Sequence, residues 1–257
     1  MIGLTDKGED RVSLESDGQG NIGNRTLMNF SFLGNSGSNT ITDVSGNNII
    51  GTLVNFNHNQ NSGWTNEGIR FDGSNDYIRI PNTYREFWTP TEEITVNIRA
   101  CADNWQITKS SKLISCTDYG GWAVSLNNSG WAGIPGYLTL DIKVEGQPAS
   151  GSSNPYHTVG IPLSEIEPGF HTFTVTFDRR YSRVYMDGEL KGSLDIGKYV
   201  DLQYPTCNNA LLIGTEAGTG AVPQGGGYYF KGTISHVSIY DRCLHPDEVR
   251  RVYLEIK

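Results

Sequence analysis

The chain has 257 residues, of which 37% are hydrophobic, so it can bury the core of one large domain or of two small ones. Its formal net charge of −8 repels phosphate backbones and anionic lipid, which argues against nucleic acid as a partner. No stretch of the sequence matches the roughly 20 apolar residues that a membrane-spanning helix needs, so membrane insertion is not expected.

Residues 1–25 are polar, rich in glycine and aperiodic, and we predict that they form a tail or an attachment segment outside the core. They contain no apolar segment of the signal-peptide type. Residues 26–257 are predicted to form one domain. Short alternating runs with turn residues between them continue from Leu27 to Tyr240 without a helical segment. This spacing is typical of an antiparallel β-sandwich or barrel.

The clearest local pattern is "FHTFTVTFD" at residues 170–178. Phe173, Val175 and Phe177 fall on one face of a strand and threonines fall on the other, so one face is predicted to be buried. In the hairpin that follows, Asp187 and Gly188 lie between two strands, and this pair favours a tight type I′ turn.

The end of the chain, "LHPDEVRRVYLEIK", predicts a short α-helix. His245 is the expected N-cap, Pro246 takes the first helical position and Glu248 the capping-box position. Apolar residues recur at helical spacing and form one stripe that can lie against the sandwich: Val249, Val252, Tyr253 and Ile256.

Five segments occur in the order expected of one family: "DVSGNNIIGTLVNF", "GIRFDGSNDYIRIP", "SRVYMDGELKGS", "ALLIG" and "FKGTISHVSIYDRCLHPDEV". Together they resemble the landmarks of LamG-like jelly-roll domains, which belong to the concanavalin A-like lectin/glucanase superfamily. The resemblance extends over residues 27–255. It implies an all-β, two-sheet antiparallel jelly-roll sandwich with a concave face. It also implies a role that is mostly non-catalytic, in binding glycans or proteins or in spacing other domains.

The resemblance further implies a structural Ca²⁺ at the rim of the sandwich, held by hard oxygen ligands. The family's first aspartate corresponds to Asp43, and Asn47 is a candidate ligand beside it. The family's second carboxylate falls at Ser235 and His236, where no acid stands, and this weakens the expected site. The alternative is that Asp43 caps its own turn by accepting backbone N–H bonds.

Catalysis is not expected. A glycosidase needs two suitably spaced carboxylates. Glu92 and Glu93 are adjacent and so point to opposite faces of a strand, whereas Glu165 and Glu167 lie in a loop bounded by prolines. No hydrolytic triad motif is present, and the histidines are assigned structural roles.

The four cysteines show no metal-binding spacing, and we predict buried free thiols: Cys101, Cys116, Cys207 and Cys243. An alternative is that Cys101 and Cys116 are neighbours on adjacent strands.

Sugar binding needs an exposed aromatic ring with polar groups around it. The candidates lie in or beside polar, glycine-rich loops: Trp105, Tyr119, Trp131, Tyr137, Tyr156, His157, Gln224 and Tyr228. For each of them, packing against the core is the alternative. A single site requires that these loops meet at one rim of the sandwich.

We therefore predict a non-catalytic recognition or adhesion module whose partner is a glycan or a cell-surface receptor. A fold of this type without a visible signal peptide favours a phage virion or tail-associated receptor-binding protein, or a location outside the cell or on its surface. One alternative is a structural virion or surface protein that packs on neighbouring subunits without binding sugar. Another is an accessory carbohydrate-binding module of a secreted glycosidase.

Overall fold

The computed structural model describes residues 25–34, 37–117, 120–128, 133–147, 156–204, 210–217 and 228–257. These residues form sixteen β-strands and one α-helix. The strands are β1 (Thr26–Ser31), β2 (Thr40–Thr42), β3 (Ile50–Val54), β4 (Gly63–Thr65), β5 (Gly68–Asp72), β6 (Tyr77–Pro81), β7 (Ile94–Ala102), β8 (Ser111–Ser115), β9 (Trp122–Leu126), β10 (Tyr137–Ile142), β11 (His157–Pro162), β12 (His171–Phe177), β13 (Tyr181–Met186), β14 (Glu189–Asp195), β15 (Ala210–Ile213) and β16 (Lys231–Tyr240). The helix is α1 (Pro246–Ile256).

The strands form two antiparallel sheets of eight strands each. Sheet A has the order β14-β13-β12-β7-β16-β5-β4, and β1 also pairs with β16. Sheet B has the order β11-β10-β9-β8-β15-β6-β3-β2. The predicted all-β sandwich with a short C-terminal helix is confirmed. The strands β2 and β4 were not predicted, because three residues are too few to show an alternating pattern.

The core lies between the sheets. Phe173, Val175 and Phe177 of β12 face it and are buried, as their spacing predicts. The threonine face of β12 is buried as well, since Thr174 is fully buried. The outer face of sheet A is covered by the segment after β16, where the Thr95 hydroxyl accepts from the Leu244 N–H at 2.9 Å.

The tight turn between β13 and β14 is confirmed. Asp187 has φ 53° and Gly188 has φ 80°, and a type I′ turn requires positive φ at both central positions. A residue with a bulky or β-branched side chain would be strained at either place.

The helix α1 begins as its sequence predicts. The His245 side chain accepts from the Asp247 N–H, and the Glu248 carboxylate accepts from the His245 N–H at 2.9 Å. Val249 and Val252 are buried in a separate apolar cluster outside sheet A, with three other residues: Tyr185, Tyr240 and Leu244. Among the residues that the structure describes, no helix has the length and apolar character needed to cross a membrane.

The two sheets meet along one side of the sandwich. Edge strand β14 of sheet A approaches edge strand β11 of sheet B so closely that a Cβ atom on Gly192 would lie 2.8 Å from the carbonyl oxygen of Gly160. Only glycine permits this approach. The domain boundary at residue 25 stays a prediction, because residues 1–24 lie outside the described residues.

Glu248 caps the start of α1. Its carboxylate also accepts hydrogen bonds from both terminal guanidinium nitrogens of Arg242, at 2.6 and 2.7 Å. Glutamine can keep the capping-box bond but not the ion pair, and alanine loses both. We therefore expect Glu248→Ala to lower the free energy of unfolding by about 1 to 3 kcal/mol, and Glu248→Gln by less. Urea unfolding measures the order, with exposed Glu255→Ala as the control. Equal stability of the Glu248→Ala and Glu255→Ala variants would contradict this account of the helix.

Candidate functional site

Asp43 follows β2 and is 5% exposed. Its Oδ1 atom accepts from the Asn29 N–H at 2.6 Å, and Oδ2 accepts from the Ser45 hydroxyl at 2.6 Å and the Asn47 N–H at 3.2 Å. Asn47 turns its side-chain NH₂ group towards the carbonyl oxygen of Leu27, at 2.9 Å. This is the geometry of a turn cap, the alternative considered for Asp43. A cation at Asp43 and Asn47 would have to displace these donors, and calcium there stays a prediction.

His236 owes its place to a β-bulge in β16. The register of β16 against β7 shifts between Ile234, which pairs with Ala100, and His236, which pairs with Arg99. The extra residue, Ser235, lets Ile234 face the core while His236 lies on the outer face of sheet A. Burial lowers the pKa of His236 to about 4, so the imidazole is neutral at neutral pH.

The two positions that resemble the family's calcium ligands do not meet. His236 lies opposite Ser31 of β1, whereas Asp43 and Val44 bond to Asn29 from the other edge of β1. Strand β1 therefore stands between Asp43 and His236. In the described part of the chain, no three His, Cys, Asp or Glu residues are grouped in a way that could hold a metal ion.

Trp105 is a packing residue. It is 3% exposed, and its indole N–H donates to the carbonyl oxygen of Gly169 at 3.3 Å. Its ring lies edge-on to Phe173 with the centroids 5.2 Å apart. The expectation that Trp105 offers an open ring to a sugar is wrong, because the loop after β7 turns the indole into the core.

Three of the other four described candidates, Tyr137, Tyr156 and His157, lie at opposite ends of one hairpin. Tyr137 pairs with Pro162 at one end of β10 and β11, and Ile142 pairs with His157 at the other. Five residues of strand separate the ends by roughly 17 Å. Tyr156 precedes His157 at that far end. These three aromatic residues therefore do not form one cluster, although each is only partly buried.

Three candidates and one cysteine lie outside the described residues: Tyr119, Trp131, Gln224 and Cys207. Their roles stay predictions. Cys116 is buried, as predicted, whereas the free thiols Cys101 and Cys243 are only partly buried.

Tyr228 leads to a buried polar cluster on the outer face of sheet B that sequence reasoning missed. Its carbonyl oxygen accepts from the Lys112 N–H at 3.0 Å, and its ring centroid lies 6.0 Å from Lys112 Nζ. That ammonium group donates to the Ser125 hydroxyl at 2.7 Å and lies 4.0 Å from Asp141 and 3.9 Å from Glu216. One cation is thus shared between two carboxylates.

Asp141 is fully buried and is held by three hydroxyl donors. Ser125 donates at 2.5 Å, Thr158 at 3.0 Å and Thr139 at 3.3 Å. In the sequence, the only sign of this cluster is that Lys112 and Asp141 occur with serines and threonines at the polar positions of neighbouring strands. This part of the outer face is closed to solvent, so the cluster does not form an open groove in this structure.

An open cleft lies at the rim where β7 ends and β8 begins, and we call it the rim cleft. Its volume is about 430 Å³. It runs between the ends of the two sheets, with Ala102 of sheet A and Leu126 of sheet B on its floor. The other lining residues come from the turn after β5, the loop before β8 and the start of β16: Gly73, Ser74, Ile107, Lys109, Ser110, Ser111, Tyr229, Phe230 and Lys231.

The rim cleft combines an apolar floor with a polar mouth. Leu126 and Phe230 are buried, whereas Lys109 and Lys231 are exposed at the opening. Tyr229 is partly buried, because it packs against an apolar cluster beside β6 and β15. Sequence reasoning did not find this cleft, since its lining residues are scattered over the chain and share no motif.

A smaller cavity of about 210 Å³ adjoins the rim cleft and shares Ala102 with it. Trp105, Asp103 and Glu167 are among its lining residues. The Gln106 side-chain NH₂ donates to the carbonyl oxygen of Leu163, which ties the loop after β7 to the loop after β11. The carboxylates of Asp103 and Glu167 thus border the smaller cavity, whereas the described lining of the rim cleft contains no carboxylate.

His171 is hydrogen-bonded to Glu167, which lines the smaller cavity. Its Nδ1 lies 2.7 Å from Asp187 and its Nε2 lies 2.8 Å from the carbonyl oxygen of Glu167. Both partners are acceptors, so both ring nitrogens carry a proton and the imidazole is a cation. The bond to Asp187 raises the pKa of His171 despite burial. Burial alone would raise the pKa of Asp187, but bonds from His171 and the Thr172 N–H lower it.

A family profile described as the concanavalin A-like lectin/glucanases superfamily matches residues 72–250. A search of curated protein sequences found no relative.

Several solved structures with the same fold are binding domains of botulinum neurotoxins and of a mosquitocidal protein. The receptor-binding domain of botulinum neurotoxin C/D mosaic serotype is 16% identical, with a TM-score of 0.64 over 91% of this chain and 52% of that one. The binding domain of Paraclostridial Mosquitocidal Protein 1 is 16% identical, with a TM-score of 0.62 over 90% and 52%. The ligand-binding domain of botulinum neurotoxin serotype D, in complex with N-acetylneuraminic acid, is 16% identical, with a TM-score of 0.59 over 91% and 51%. The chain thus spans about half the length of these structures.

The His171–Asp187 pair predicts how stability depends on pH. The raised pKa of His171 gives stability that is complete below the unfolded value of about 6.5 and is lost as the pH rises through the folded value. The lowered pKa of Asp187 gives stability that is complete above its unfolded value of about 3.9 and is lost on further acidification. The stability of the pair is therefore greatest between these limits.

Asp187→Asn tests this directly, because Asn-Gly also favours a type I′ turn. Urea unfolding at about pH 5 and about pH 9 should show a difference between wild type and variant that shrinks at the higher pH. A difference that stays the same at both pH values would contradict a charged His171.

Proposed function

The chain belongs to the concanavalin A-like lectin/glucanase superfamily, and on that basis we propose that it is a non-catalytic recognition module that binds surface carbohydrate in the rim cleft. The observation that carries the proposal is the make-up of this cleft: an apolar floor, a tyrosine wall and a polar mouth open to solvent.

The rim cleft suits a sugar in size and in chemistry. Ligand pockets in proteins commonly measure about 300 to 1,000 Å³, and the cleft falls in that range at about 430 Å³. Carbohydrates present apolar C–H faces and hydroxyl rims. Tyr229 supplies an aromatic wall for a C–H face, and Ser74 and Lys109 supply polar groups beside it.

The carboxylates near the rim support binding rather than hydrolysis. Glycoside hydrolysis uses a pair of carboxyl groups at the scissile bond. The described lining of the rim cleft contains no Asp or Glu. In the adjoining cavity, Asp103 is held by Arg70 through two hydrogen bonds. Asp141 is fully buried and bonded to three hydroxyls, so it does not reach a substrate.

The toxin domains support carbohydrate as a ligand class. One of them was solved in complex with N-acetylneuraminic acid. Because the match covers about half of that domain, the place of the sugar there does not locate a site on this chain. The phage virion or tail-associated role, the cell-surface receptor and the contributions of Tyr119, Trp131 and Gln224 stay predictions.

The proposal predicts which tyrosine matters. Tyr229→Ala removes the aromatic wall, and we expect it to weaken binding to immobilised glycans by at least about fivefold, since one aromatic contact contributes about 1 kcal/mol. Tyr199→Ala is the matched control, because Tyr199 is 68% exposed and does not line the cleft. Glycan-array binding measures both, and thermal melting shows whether each variant is folded.

Equal glycan binding by the Tyr229→Ala and Tyr199→Ala variants would show that the sugar does not bind in the rim cleft. Failure of the wild type to bind any glycan, together with stable packing on neighbouring subunits, would favour the structural alternative. Release of reducing ends from β-glucan by the purified protein would contradict the non-catalytic assignment.

A further inference from the structure

The charge at the mouth of the rim cleft is opposite in sign to that of the whole chain. The protein has a formal net charge of −8, yet the charged residues in the described lining of the cleft are two lysines, Lys109 and Lys231. A local positive charge on an acidic protein attracts anions to that place.

Lys231 keeps most of its charge available. Its Nζ lies 3.7 Å from Asp103, and its side chain is 62% exposed. The Asp103 carboxylate already accepts hydrogen bonds from both terminal nitrogens of Arg70, one of them at 2.7 Å. One carboxylate therefore faces two cations, and the three side chains together carry a net charge of +1.

Lys109 adds a second charge. It is exposed, and within the described ranges no carboxylate lies at ion-pair distance from it. Asp72, the last residue of β5, caps the turn that follows it. Its Oδ1 atom accepts from the Ser74 N–H at 2.7 Å and the Asn75 N–H at 3.3 Å.

The turn after β5 packs directly on the stem of Lys231. Gly73 has φ +78°, and a Cβ atom at this position would lie 2.7 Å from the Cβ of Lys231. Ser74 follows in the same turn and lines the cleft. The absence of a side chain at Gly73 thus gives Lys231 room to stand at the mouth, with a hydroxyl beside it.

The neighbouring cavity has the opposite character. Its described lining contains Glu167 and the paired Asp103 but no lysine or arginine, so an anionic group finds less positive charge there than in the rim cleft. An anionic ligand is therefore directed to the rim cleft and away from the smaller cavity.

We propose that the rim cleft selects acidic saccharides, and that Lys109 and Lys231 bind a carboxylate or sulfate group of the sugar while Tyr229 contacts the ring. This inference rests on the proposed function, since it names the class of glycan that the same cleft binds. Lysine binds either anion as a point charge, so both anionic groups share the chemistry.

A glycan array that pairs each neutral glycan with its sialylated, uronic-acid and sulfated counterparts tests the inference. We expect at least one acidic glycan to bind at least about tenfold more tightly than its neutral counterpart at low salt. Raising sodium chloride from about 20 to about 300 mM should reduce this preference, because salt screens exposed charges. The carboxylated and sulfated pairs show which anion is preferred.

The double variant Lys109→Gln/Lys231→Gln should lose the preference and keep its binding to neutral glycans. Lys191→Gln is the matched control, because Lys191 is exposed on edge strand β14 and does not line the cleft. Gly73→Ala should weaken acidic binding in the same direction by displacing Lys231. Unchanged melting temperatures show that the variants are folded.

Binding to neutral glycans alone would overturn the selection of acidic sugars and leave the proposed function standing. A preference for acidic glycans that survives in the double variant would also overturn it. Failure of the wild type to bind any glycan would overturn both proposals.

Discussion

The fold depends on the backbone pairing of one strand, β16, with three others. It pairs with β7 along one edge, and along the other edge its first half pairs with β5 and its second half with β1. The bulge at Ser235 keeps both halves in register with the core, since Ile234 and Val237 both face inwards. The two ends of β16 then reach two other features of the molecule: Lys231 lines the rim cleft, and Tyr240 packs in the apolar cluster of the terminal helix.

Much of this arrangement could be predicted from local patterns in the sequence. Alternation in β12 identified its core face, Asp187 and Gly188 identified a turn, and His245 with Glu248 identified the start of α1. These predictions succeeded because each depends on residues a few positions apart. The bulge also explains why His236 breaks the expected pattern: the extra residue places an uncharged imidazole on the outer face of sheet A, with β1 between it and Asp43.

The candidate site could not be predicted in this way, because it depends on residues that are distant in the sequence and meet only in the fold. Trp105 lies in a polar loop, yet its ring packs in the core. Burial of the indole is possible because its N–H donates to the carbonyl oxygen of Gly169. Tyr137 and His157 are both near loops, yet the hairpin register sends them to opposite ends. The rim cleft brings Gly73, Lys109 and Lys231 together from three distant parts of the chain. No short sequence motif indicates that these residues are neighbours. The buried ammonium of Lys112 was not predicted either, because its two carboxylate partners are distant in the sequence.

We propose that the rim cleft is the recognition site of the molecule. The most direct test is to record backbone amide chemical shifts of the labelled protein during titration with a glycan that it binds. The account predicts that the largest shifts fall on the turn at Gly73, the loop before β8 and the start of β16. Shifts centred instead on Tyr156 and His157 at the opposite rim, with the rim cleft unchanged, would contradict it.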